Sequence, residues 1–361
     1  MLPYYIAYVL MISVGIWSNS NLPGDRAVKK RNYCVIWAVI WIFLLGCRHP
    51  SMGVDLQYGG PYGYLGQFPV IAGLSWEEIL RWNGHYELGY VVFNKLLGYI
   101  GTADQVLLFA CAFLVIGMLA FVISRNSDYP FLSSIICVGL PFFLMNFSGL
   151  RQILSVSITF LSYELIREKR YVRFGLMVLL AMGFHSSAWI FIFAYPLYHL
   201  RMRRMGKFLT LIFPVVVYIF RYPLFAVLSP LFKVSAEPDN NHSVTLFAVY
   251  YLICVFVRFF GRFEDGEEEG WSNLFLAACC CQSFAGVYST AARVGFYFSV
   301  YLVLLLPRVV KNFGGTSTRT GHSLSTAMYL VILGCFCAFG LYSLGRDSWA
   351  MSNPYLFFWQ V

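Results

Sequence analysis

The sequence predicts an all-α integral membrane protein, a single bundle of about 12 transmembrane helices over residues 1–361. Hydrophobic residues make up 59% of the 361 residues and charged residues only 12%. The mean hydropathy is +0.66, which lies outside the range of soluble globular domains. Apolar runs recur along the whole chain, and none shows the period of two that predicts a transmembrane strand. Most Arg and Lys residues lie in alternate turns between these runs, as the positive-inside rule expects.

The first part of the chain is predicted to place a long loop outside the membrane. Run 4–17 has neither a preceding cation nor a small-residue cleavage site, so it is interpreted as a retained span and not as a signal peptide. Four cations place the linker 18–32 in the cytoplasm. A second span, 33–47, leads to a periplasmic loop over about 48–104, in which the short run 88–100 predicts a re-entrant or interfacial helix.

Further apolar runs complete the predicted bundle. Two of them, 174–184 and 188–200, are short for a full crossing, but cationic turns bracket them and His185 stands where they meet. The second periplasmic loop is predicted at 221–243, and a Gly/Ser/Thr linker is predicted after Pro307. The other predicted spans are 105–123, 131–145, 150–166, 208–220, 244–260, 271–288, 294–306 and 323–344.

Composition and motifs exclude several classes of protein. The net charge of +9 follows the positive-inside pattern, so nucleic acid is not an expected partner. The acidic run 262–270 is interpreted as a solvated turn. Most of the ten cysteines lie in apolar runs, where they pack as small polarizable side chains. The chain contains no His-Glu-x-x-His, no nucleophile elbow and no paired Asp metal motif, so no metal or cofactor is expected.

Some Arg residues lie at the predicted outer face, where the positive-inside rule does not expect them, and these residues indicate the functional site. At roughly 1.5 Å per helical residue, Arg151 and Gln152 on one span and His185 on another return to similar depth at the outer face. Several Arg side chains in one cavity are costly unless a multiply charged anion neutralises them, and the Arg fork matches phosphate oxygens. A lipid-linked diphosphate is such an anion. The predicted diphosphate ligands are Arg48, Arg151, Gln152 and Arg293.

Alternatives stay open at single positions of this site. Arg48 either binds the diphosphate or pairs with Asp55 or Glu87 in a structural bridge. His185 is predicted to act as a general base or as a hydrogen-bond donor to the diphosphate, and its alternative is an interior histidine bonded to a backbone carbonyl. Asp55 and Glu87 are candidate bases or ligands of sugar hydroxyls. Tyr58 either stacks on a sugar ring or belongs to an aromatic interface loop. The predicted sugar ligands are Asn146, Tyr58 and Ser187.

Six motifs together resemble the EpsG/Wzy family of polysaccharide polymerases. They are CRHPSMGVDLQY (47–58), HYELGY (85–90), NFSGLRQ (146–152), FHSSA (184–188), ARVGFYF (292–298) and NPYLFF (353–358). NFSGLRQ followed by FHSSA about thirty residues later is the most specific pair. Leu56 departs from the family pattern, in which an aromatic residue follows the Asp, and this affects the expected sugar contacts of the first loop. The positions that match are Arg48, Gly53, Asp55, Glu87, Asn146, Arg151, Gln152, His185, Ser187 and Arg293.

The resemblance implies an enzyme of the bacterial inner membrane that joins O-antigen, capsule or exopolysaccharide repeat units on undecaprenyl diphosphate. The growing glycan would pass from its carrier to the non-reducing end of the incoming lipid-linked unit, at a site facing the periplasm. Arg151 and Arg293, with help from His185, would hold the diphosphate, and Glu87 or Asp55 would take the proton of the attacking hydroxyl. The expected partners are the donor and acceptor lipids, the surrounding membrane lipids and a chain-length regulator protein.

Other functions would use some of the same features. A flippase or exporter of lipid-linked oligosaccharides predicts cations along a central passage, whereas here they gather at one rim. An O-antigen ligase, which moves glycan onto the lipid A core, would use the same cluster. A membrane acyltransferase would use His185 but would leave the arginines without a diphosphate.

Overall fold

The described part of the chain is built from helices. The computed structural model describes residues 1–20, 25–232, 244–263, 266–288, 292–314, 319–346 and 350–360. Within these ranges there is no strand, and one isolated bridge joins Arg48 to Phe357. The predicted all-α class is therefore confirmed.

The helices differ widely in length, from 4 residues at Phe296–Ser299 to 27 residues at Arg319–Gly345. The α-helices are Leu2–Asn19, Arg26–Gly46, Tyr64–Gly73, Trp76–Leu80, Leu88–Gly98, Asp104–Asn126, Pro130–Gly139, Leu150–Leu161, Tyr163–Arg167, Tyr171–Met182, Ala194–His199, Arg204–Leu209, Ile212–Ile219, Arg221–Leu228, Thr245–Phe260, Gly266–Gln282, Phe296–Ser299, Leu302–Gly314 and Arg319–Gly345. Short 3₁₀ helices are Val54–Leu56, Pro141–Asn146, Ser186–Phe193 and Ser229–Phe232.

Three helices within the described ranges are long and apolar enough to cross a membrane. They are Asp104–Asn126, Phe296–Phe313 and Gly321–Gly345. A fourth crossing results if Met205–Ile219 and Arg221–Leu228, which are bent by 76° relative to each other, form one span. These helices support a helical membrane protein, while the number of about 12 spans stays a prediction.

One predicted span is broken at a proline. The helix Pro130–Gly139 ends before Leu140, whose extended backbone, with ψ at 144°, is typical of a residue that precedes a proline, here Pro141. The chain continues as the 3₁₀ helix Pro141–Asn146. Non-helical backbone at membrane depth is tolerated where protein buries it, and this segment is mostly buried. The short 3₁₀ segment ends at Asn146, shortly before the helix Leu150–Leu161 that carries Arg151.

The interpretation of the acidic run 262–270 as a solvated turn is wrong. The helix Gly266–Gln282 begins inside the run, where its N-terminal turn favours carboxylates. Glu269 is buried, accepts a hydrogen bond from the Met202 N–H at 3.0 Å and lies 3.3 Å from the Lys207 ammonium. Because these partners come from distant positions, local composition could not show that Glu269 is buried.

Three predicted boundaries also differ from the structure. The helix Leu302–Gly314 continues through Pro307, so the predicted linker does not begin there. The helix Arg26–Gly46 begins inside the predicted linker 18–32, with the Asp25 side chain as its N-terminal cap. The helix Arg221–Leu228 occupies the start of the predicted second loop. Parts of the predicted loops and linkers that lie outside the described ranges are 21–24, 233–243, 264–265, 289–291 and 315–318.

Arg308 joins two acidic groups from distant parts of the chain. Its Nε donates to Asp128 at 2.5 Å and its Nη2 to Glu267 at 3.2 Å, and its side chain is 13% exposed. Lys311, which is 55% exposed, also reaches Asp128 at 2.5 Å. The Arg308 guanidinium therefore connects the turn before one helix to the first turn of another.

Arg308→Ala is expected to lower the free energy of unfolding by about 3 kcal/mol, because it leaves two partly buried carboxylates without their central cation. Lys311→Ala is the matched control, since it removes an exposed cation from the same Asp128 and should cost less than about 1 kcal/mol. Thermal unfolding of the purified variants in detergent measures both effects. Equal losses for the two variants would contradict the central role of Arg308.

The first long loop docks on the backbone of Gly183. The helix Leu88–Gly98 follows Glu87, and the Tyr90 N–H donates to the Gly183 carbonyl at 2.9 Å. A Cβ at Gly89 would lie 2.6 Å from the same carbonyl oxygen, so only glycine permits this approach of the two backbones. The predicted short helix in this loop is confirmed as a helix, and its docking brings Glu87 beside the turn that follows Gly183.

Candidate active site

An ion pair between Arg151 and Glu87 forms the centre of the candidate site. The Arg151 Nη1 donates to the Glu87 Oε2, and the two side chains are only 13% and 20% exposed. The Glu87 Oε1 accepts a hydrogen bond from the Ser186 backbone N–H at 2.9 Å. The Arg151 Nε lies 3.4 Å from the Tyr64 hydroxyl, and the guanidinium lies 4.8 Å from the centre of the Tyr86 ring. Contacts from two separate segments therefore fix the guanidinium, and a third segment holds its carboxylate partner.

Arg151 and Glu87 each lie at the start of a helix. Arg151 lies in the first turn of the helix Leu150–Leu161, so its side chain leans back towards the start of that helix. Glu87 is the N-cap residue of the helix Leu88–Gly98. The sequence predicts Arg151 at the end of a span with no acid close to it in the sequence. In the structure its partner, Glu87, comes from the first loop, 64 residues away along the chain.

The two candidate carboxylates differ in their proton affinity. Burial raises the pKa of Glu87, but Arg151 and the Ser186 N–H outweigh burial, so the pKa lies below its ordinary value. Burial also raises the pKa of Asp55, and the charges of Arg293 and Arg151 offset it only in part, so this pKa lies above its ordinary value. A general base works best with a pKa near the operating pH. Asp55 therefore suits that role better than Glu87.

His185 carries a neutral imidazole at the start of the 3₁₀ helix Ser186–Phe193. Its Nδ1 lies 2.7 Å from the Ser187 Oγ and 3.3 Å from the Ser187 backbone nitrogen. Burial lowers the pKa of His185 to about 4, and the charges of Arg151 and Arg293 act in the same direction against that of Glu87. Within the described residues the ring contacts the hydroxyl and the backbone N–H of Ser187, and not the backbone carbonyl of the alternative interpretation.

A line of hydrogen bonds runs from His185 into the interior. The Ser187 Oγ lies 3.0 Å from the Tyr297 hydroxyl, and that hydroxyl donates to the Ser155 Oγ at 3.2 Å. The Ser155 Oγ donates to the Ala181 carbonyl at 2.9 Å. Both Tyr297 and Ser155 are fully buried. The contacts of the imidazole therefore extend through three hydroxyl groups to the backbone.

Sequence reasoning did not single out three of these contact residues, which are Ser155, Tyr297 and Tyr86. Ser155 stands four positions after Arg151, on the same face of a helix, and Tyr297 lies inside the motif ARVGFYF, so periodicity and motif position could have indicated both. Tyr86 lies inside the motif HYELGY, so motif position could have indicated it as well, and Tyr64 lies in the same Gly- and Tyr-rich stretch as Tyr58.

Gln152 and Arg293 join the site through one hydrogen bond. The Gln152 side-chain amide donates to the Arg293 backbone carbonyl at 3.1 Å. The charge of Arg293 acts on both Asp55 and His185. Arg293 is therefore near enough to share an electrostatic environment with these groups, and Gln152 holds its backbone.

Arg48 makes its contacts away from the central ion pair. Its side chain is buried, its Nη1 donates to the Asn146 carbonyl at 2.6 Å, and its Nη2 donates to the Phe147 carbonyl at 3.3 Å. The guanidinium also lies 5.1 Å from the centre of the Phe147 ring. These contacts support the backbone before the Arg151 helix, and the alternative bridge from Arg48 to Asp55 or Glu87 is not formed.

The start of the first loop is anchored on the same backbone. The Val54 N–H donates to the Ser148 Oγ at 2.9 Å. Gly53 has φ at +125°, and a Cβ there would lie 2.0 Å from the Phe147 carbonyl oxygen, so glycine is required. Asp55, two residues further on, is thereby held close enough for Arg151 and Arg293 to act on its charge.

The predicted sugar ligands lie in different settings. Tyr58 is 56% exposed, and its ring lies 5.3 Å from that of His49. Ser187 is bonded to His185 and Tyr297. Asn146 is buried, and its side chain donates to a backbone carbonyl at 2.8 Å. Of the three, Tyr58 has the side chain most open to a ligand.

One nitrogen of the Arg151 guanidinium is available to a ligand. Tyr64 and Glu87 hold the Nε and Nη1 of Arg151, and its Nη2 makes no hydrogen bond to the described residues. Within the same ranges, no group of three or more His, Cys, Asp or Glu side chains could hold a metal ion. An oriented guanidinium with a free donor suits an anionic oxygen.

The fold and the site define a helical membrane protein whose charged site lies where a folded loop meets several helix ends. The chain belongs to the EpsG family, since the family model described as EpsG family matches residues 31–357, a range that includes every predicted site residue. No curated protein and no solved structure matches the chain significantly. The resemblance that the six motifs predicted is confirmed, and the family supports the general role of a polysaccharide polymerase.

Proposed function

We propose that the protein is a polysaccharide polymerase of the bacterial inner membrane with its active site facing the periplasm. It passes a growing glycan from undecaprenyl diphosphate to the non-reducing end of an undecaprenyl-diphosphate-linked repeat unit of O-antigen, capsule or exopolysaccharide. The observation that carries this proposal is the Arg151 guanidinium, oriented by Glu87 and Tyr64. Arg293 and Asp55 complete the group of charges around it.

Arg151 is the first ligand of the donor diphosphate. Its Nη2 is directed by the two contacts that fix the other guanidinium nitrogens, so the binding geometry exists before the substrate arrives. Arg293 is the second cation, and Gln152 holds its backbone. Arg48 supports the adjacent backbone in this proposal and does not bind the diphosphate, because its side chain is buried and carbonyls already accept from both of its Nη atoms.

The charges of the site favour the transition state over the ground state. Arg151 and Arg293 balance Glu87 and Asp55 before the reaction. When the attacking sugar hydroxyl gives its proton to Asp55, its oxygen forms the new bond to the anomeric carbon, and the bond from that carbon to the diphosphate breaks. The four groups then carry a net charge of about +1 as the leaving diphosphate becomes more negative. The site is therefore most positive when the leaving diphosphate gains negative charge, so it stabilises the transition state more than the bound substrate.

The first loop would supply the contacts to the glycan. Tyr58 is exposed and lies three residues after Asp55, so its ring is placed to stack on a sugar of the acceptor. The lipid tails of both substrates would remain among the surrounding membrane lipids. A chain-length regulator protein is the proposed protein partner, which would bind outside this site.

A deletion and complementation experiment tests the proposed function. Deleting the gene should leave surface glycans with a single repeat unit on a gel, and the wild-type gene should restore the ladder of longer chains. The purified protein, mixed with lipid-linked repeat units extracted from the deletion strain, should form longer glycans and release undecaprenyl diphosphate.

The same gel separates the alternatives. Complete loss of surface repeat units would favour a flippase or exporter. Long chains that accumulate on the lipid carrier without reaching the lipid A core would favour a ligase. A normal ladder that differs only in acyl groups would favour an acyltransferase.

A further inference from the structure

The hydrogen bonds that lead away from His185 have one consistent direction. They end at the Ala181 carbonyl, which accepts a hydrogen bond and has no proton to donate. The single hydroxyl proton of Ser155 must therefore point to that carbonyl, at 2.9 Å. Because this proton is already committed, the Tyr297 hydroxyl has to donate to the Ser155 Oγ, at 3.2 Å.

The same donor-to-acceptor direction extends to the imidazole of His185. Tyr297 has no second proton, so Ser187 must be the donor in the 3.0 Å contact between their hydroxyls. The 2.7 Å contact between Ser187 and His185 then requires Nδ1–H of the ring to donate to the Ser187 Oγ. A neutral imidazole carries one proton, so its other nitrogen is an acceptor. The line of hydroxyls therefore selects the tautomer in which Nε2 of His185 accepts.

The opposite tautomer would leave one contact of this line without a proton. If Ser187 donated to Nδ1, either the Ser187 and Tyr297 hydroxyl oxygens would face each other at 3.0 Å with no proton between them or, if the two inner hydroxyls turned, the Ser155 Oγ would face the Ala181 carbonyl oxygen at 2.9 Å in the same way. Ser155 and Tyr297 are fully buried, which makes an unmade hydrogen bond costly.

One contact favours the opposite tautomer. The Ser187 backbone N–H points at Nδ1, which could accept from it, but the distance is 3.3 Å. The contact from Nδ1 to the Ser187 hydroxyl is shorter, at 2.7 Å. Ser187 is also half-buried, so water can satisfy its backbone N–H. The hydrogen bonds of the buried residues Tyr297 and Ser155 therefore determine which tautomer His185 adopts.

We propose that Ser187, Tyr297 and Ser155 are positioning residues that fix His185 in its Nδ1–H tautomer, so that Nε2 accepts a hydrogen bond from a hydroxyl of the acceptor sugar. This inference rests on the proposed polymerase function and narrows it. Phosphate oxygens are acceptors, so a neutral Nε2 without a proton does not bind the diphosphate. The proton of the attacking hydroxyl goes to Asp55 in the proposed function, so the hydroxyl that Nε2 holds is a different one of the acceptor sugar.

The tautomer can be measured without any substrate. Solid-state ¹⁵N NMR of histidine-labelled protein in lipid bilayers separates protonated from unprotonated ring nitrogens, and His185→Gln identifies the His185 signals among the six histidines. The wild-type protein should carry the His185 proton on Nδ1. In Tyr297→Phe the Ser187 proton is released to point at Nδ1, so the ring proton should move to Nε2.

A matched pair of variants tests whether the tautomer of His185 affects turnover of the substrate. Ser187→Thr keeps the hydroxyl and should retain activity, whereas Ser187→Val has nearly the same shape without a hydroxyl. Ser187→Val should lower kcat/KM by about 10- to 100-fold with lipid-linked repeat units from the deletion strain, as expected when a histidine loses the group that fixes its tautomer. Ser187 lies in a half-buried turn, so both variants are expected to fold.

Each outcome bears on a different part of the inference. A wild-type proton on Nε2 would overturn the directional order of the line. The expected tautomer together with equal activity of Ser187→Val and Ser187→Thr would overturn the contact with the acceptor sugar. The expected tautomer in a protein that forms no glycan at all would leave the order of the hydrogen bonds standing and reject the polymerase function.

Discussion

Arg151→Ala is expected to reduce glycan transfer by about 1,000-fold, the size of loss seen when one preorganised donor to a developing negative charge is removed. The variant loses the guanidinium that faces the diphosphate, and it also leaves Glu87 as a carboxylate without its cation. The leaving group would then separate against an uncompensated negative charge. Turnover of lipid-linked repeat units by the purified variant measures the loss, and the gel of the complemented deletion strain should show single repeat units.

Another Arg–Glu pair of the same loop provides the control. Arg81 lies 2.9 Å from Glu77, and both side chains are more than 70% exposed, at 78% and 73%. Arg81→Ala removes the same kind of charge from the loop that carries Glu87, yet it should leave turnover within about 2-fold, because exposed ion pairs contribute little. Similar losses for Arg81→Ala and Arg151→Ala would mean that only the general positive charge of the loop matters.

A double variant separates catalysis from folding. Arg151→Met alone leaves a partly buried carboxylate, whereas Arg151→Met combined with Glu87→Met replaces the whole pair with apolar side chains of similar length. Replacing a buried ion pair in this way is often neutral for stability. The double variant should therefore unfold near the wild-type temperature and still be inactive. Activity in this variant would exclude Arg151 as a ligand of the substrate.

The helices were largely predictable because hydropathy and helix length are local properties. The predicted span 105–123 lies inside the observed helix Asp104–Asn126, for example. The break at Leu140 was not predicted, because the apolar run outweighed the local signal of Pro141, and the burial of Glu269 was not predicted, because it depends on Lys207, which lies far away in the sequence. A composition window contains no information about such partners.

The candidate site was predictable as a set of residues but not as an arrangement. Arg151 and Arg48 both stand near predicted span ends, and the sequence predicts both as diphosphate ligands, with a bridge to Asp55 or Glu87 as the alternative for Arg48. In the structure Arg151 pairs with a carboxylate of the first loop, whereas Arg48 is buried against backbone carbonyls. The difference arises from how the loop docks on Gly183, and that docking depends on backbone contacts that no side-chain pattern reports.

Gly89→Ala is expected to lower turnover by about 100-fold through displacement of Glu87, although residue 89 bears no functional group. The new Cβ would lie 2.6 Å from the Gly183 carbonyl oxygen and 2.8 Å from its carbonyl carbon. Both atoms belong to the backbone, so neither can rotate away, and the loop helix has to move. The same helix begins directly after Glu87, so its movement loosens the contacts of Glu87 with Arg151 and Ser186. The variant should also lose about 2 kcal/mol of stability from overpacking.

Gly175→Ala distinguishes this steric effect from a general effect of losing a glycine. Gly175 lies in the helix Tyr171–Met182, next to the same docking turn, and a Cβ there would meet no atom within 4 Å. Alanine should therefore stabilise that helix by up to about 1 kcal/mol and leave turnover unchanged. Unfolding temperature and turnover are measured together for both variants. If Gly89→Ala unfolded at a lower temperature but kept full turnover, the position of Glu87 would not depend on the contact between the loop and Gly183, and the ion pair would have to be held by the Arg151 helix alone.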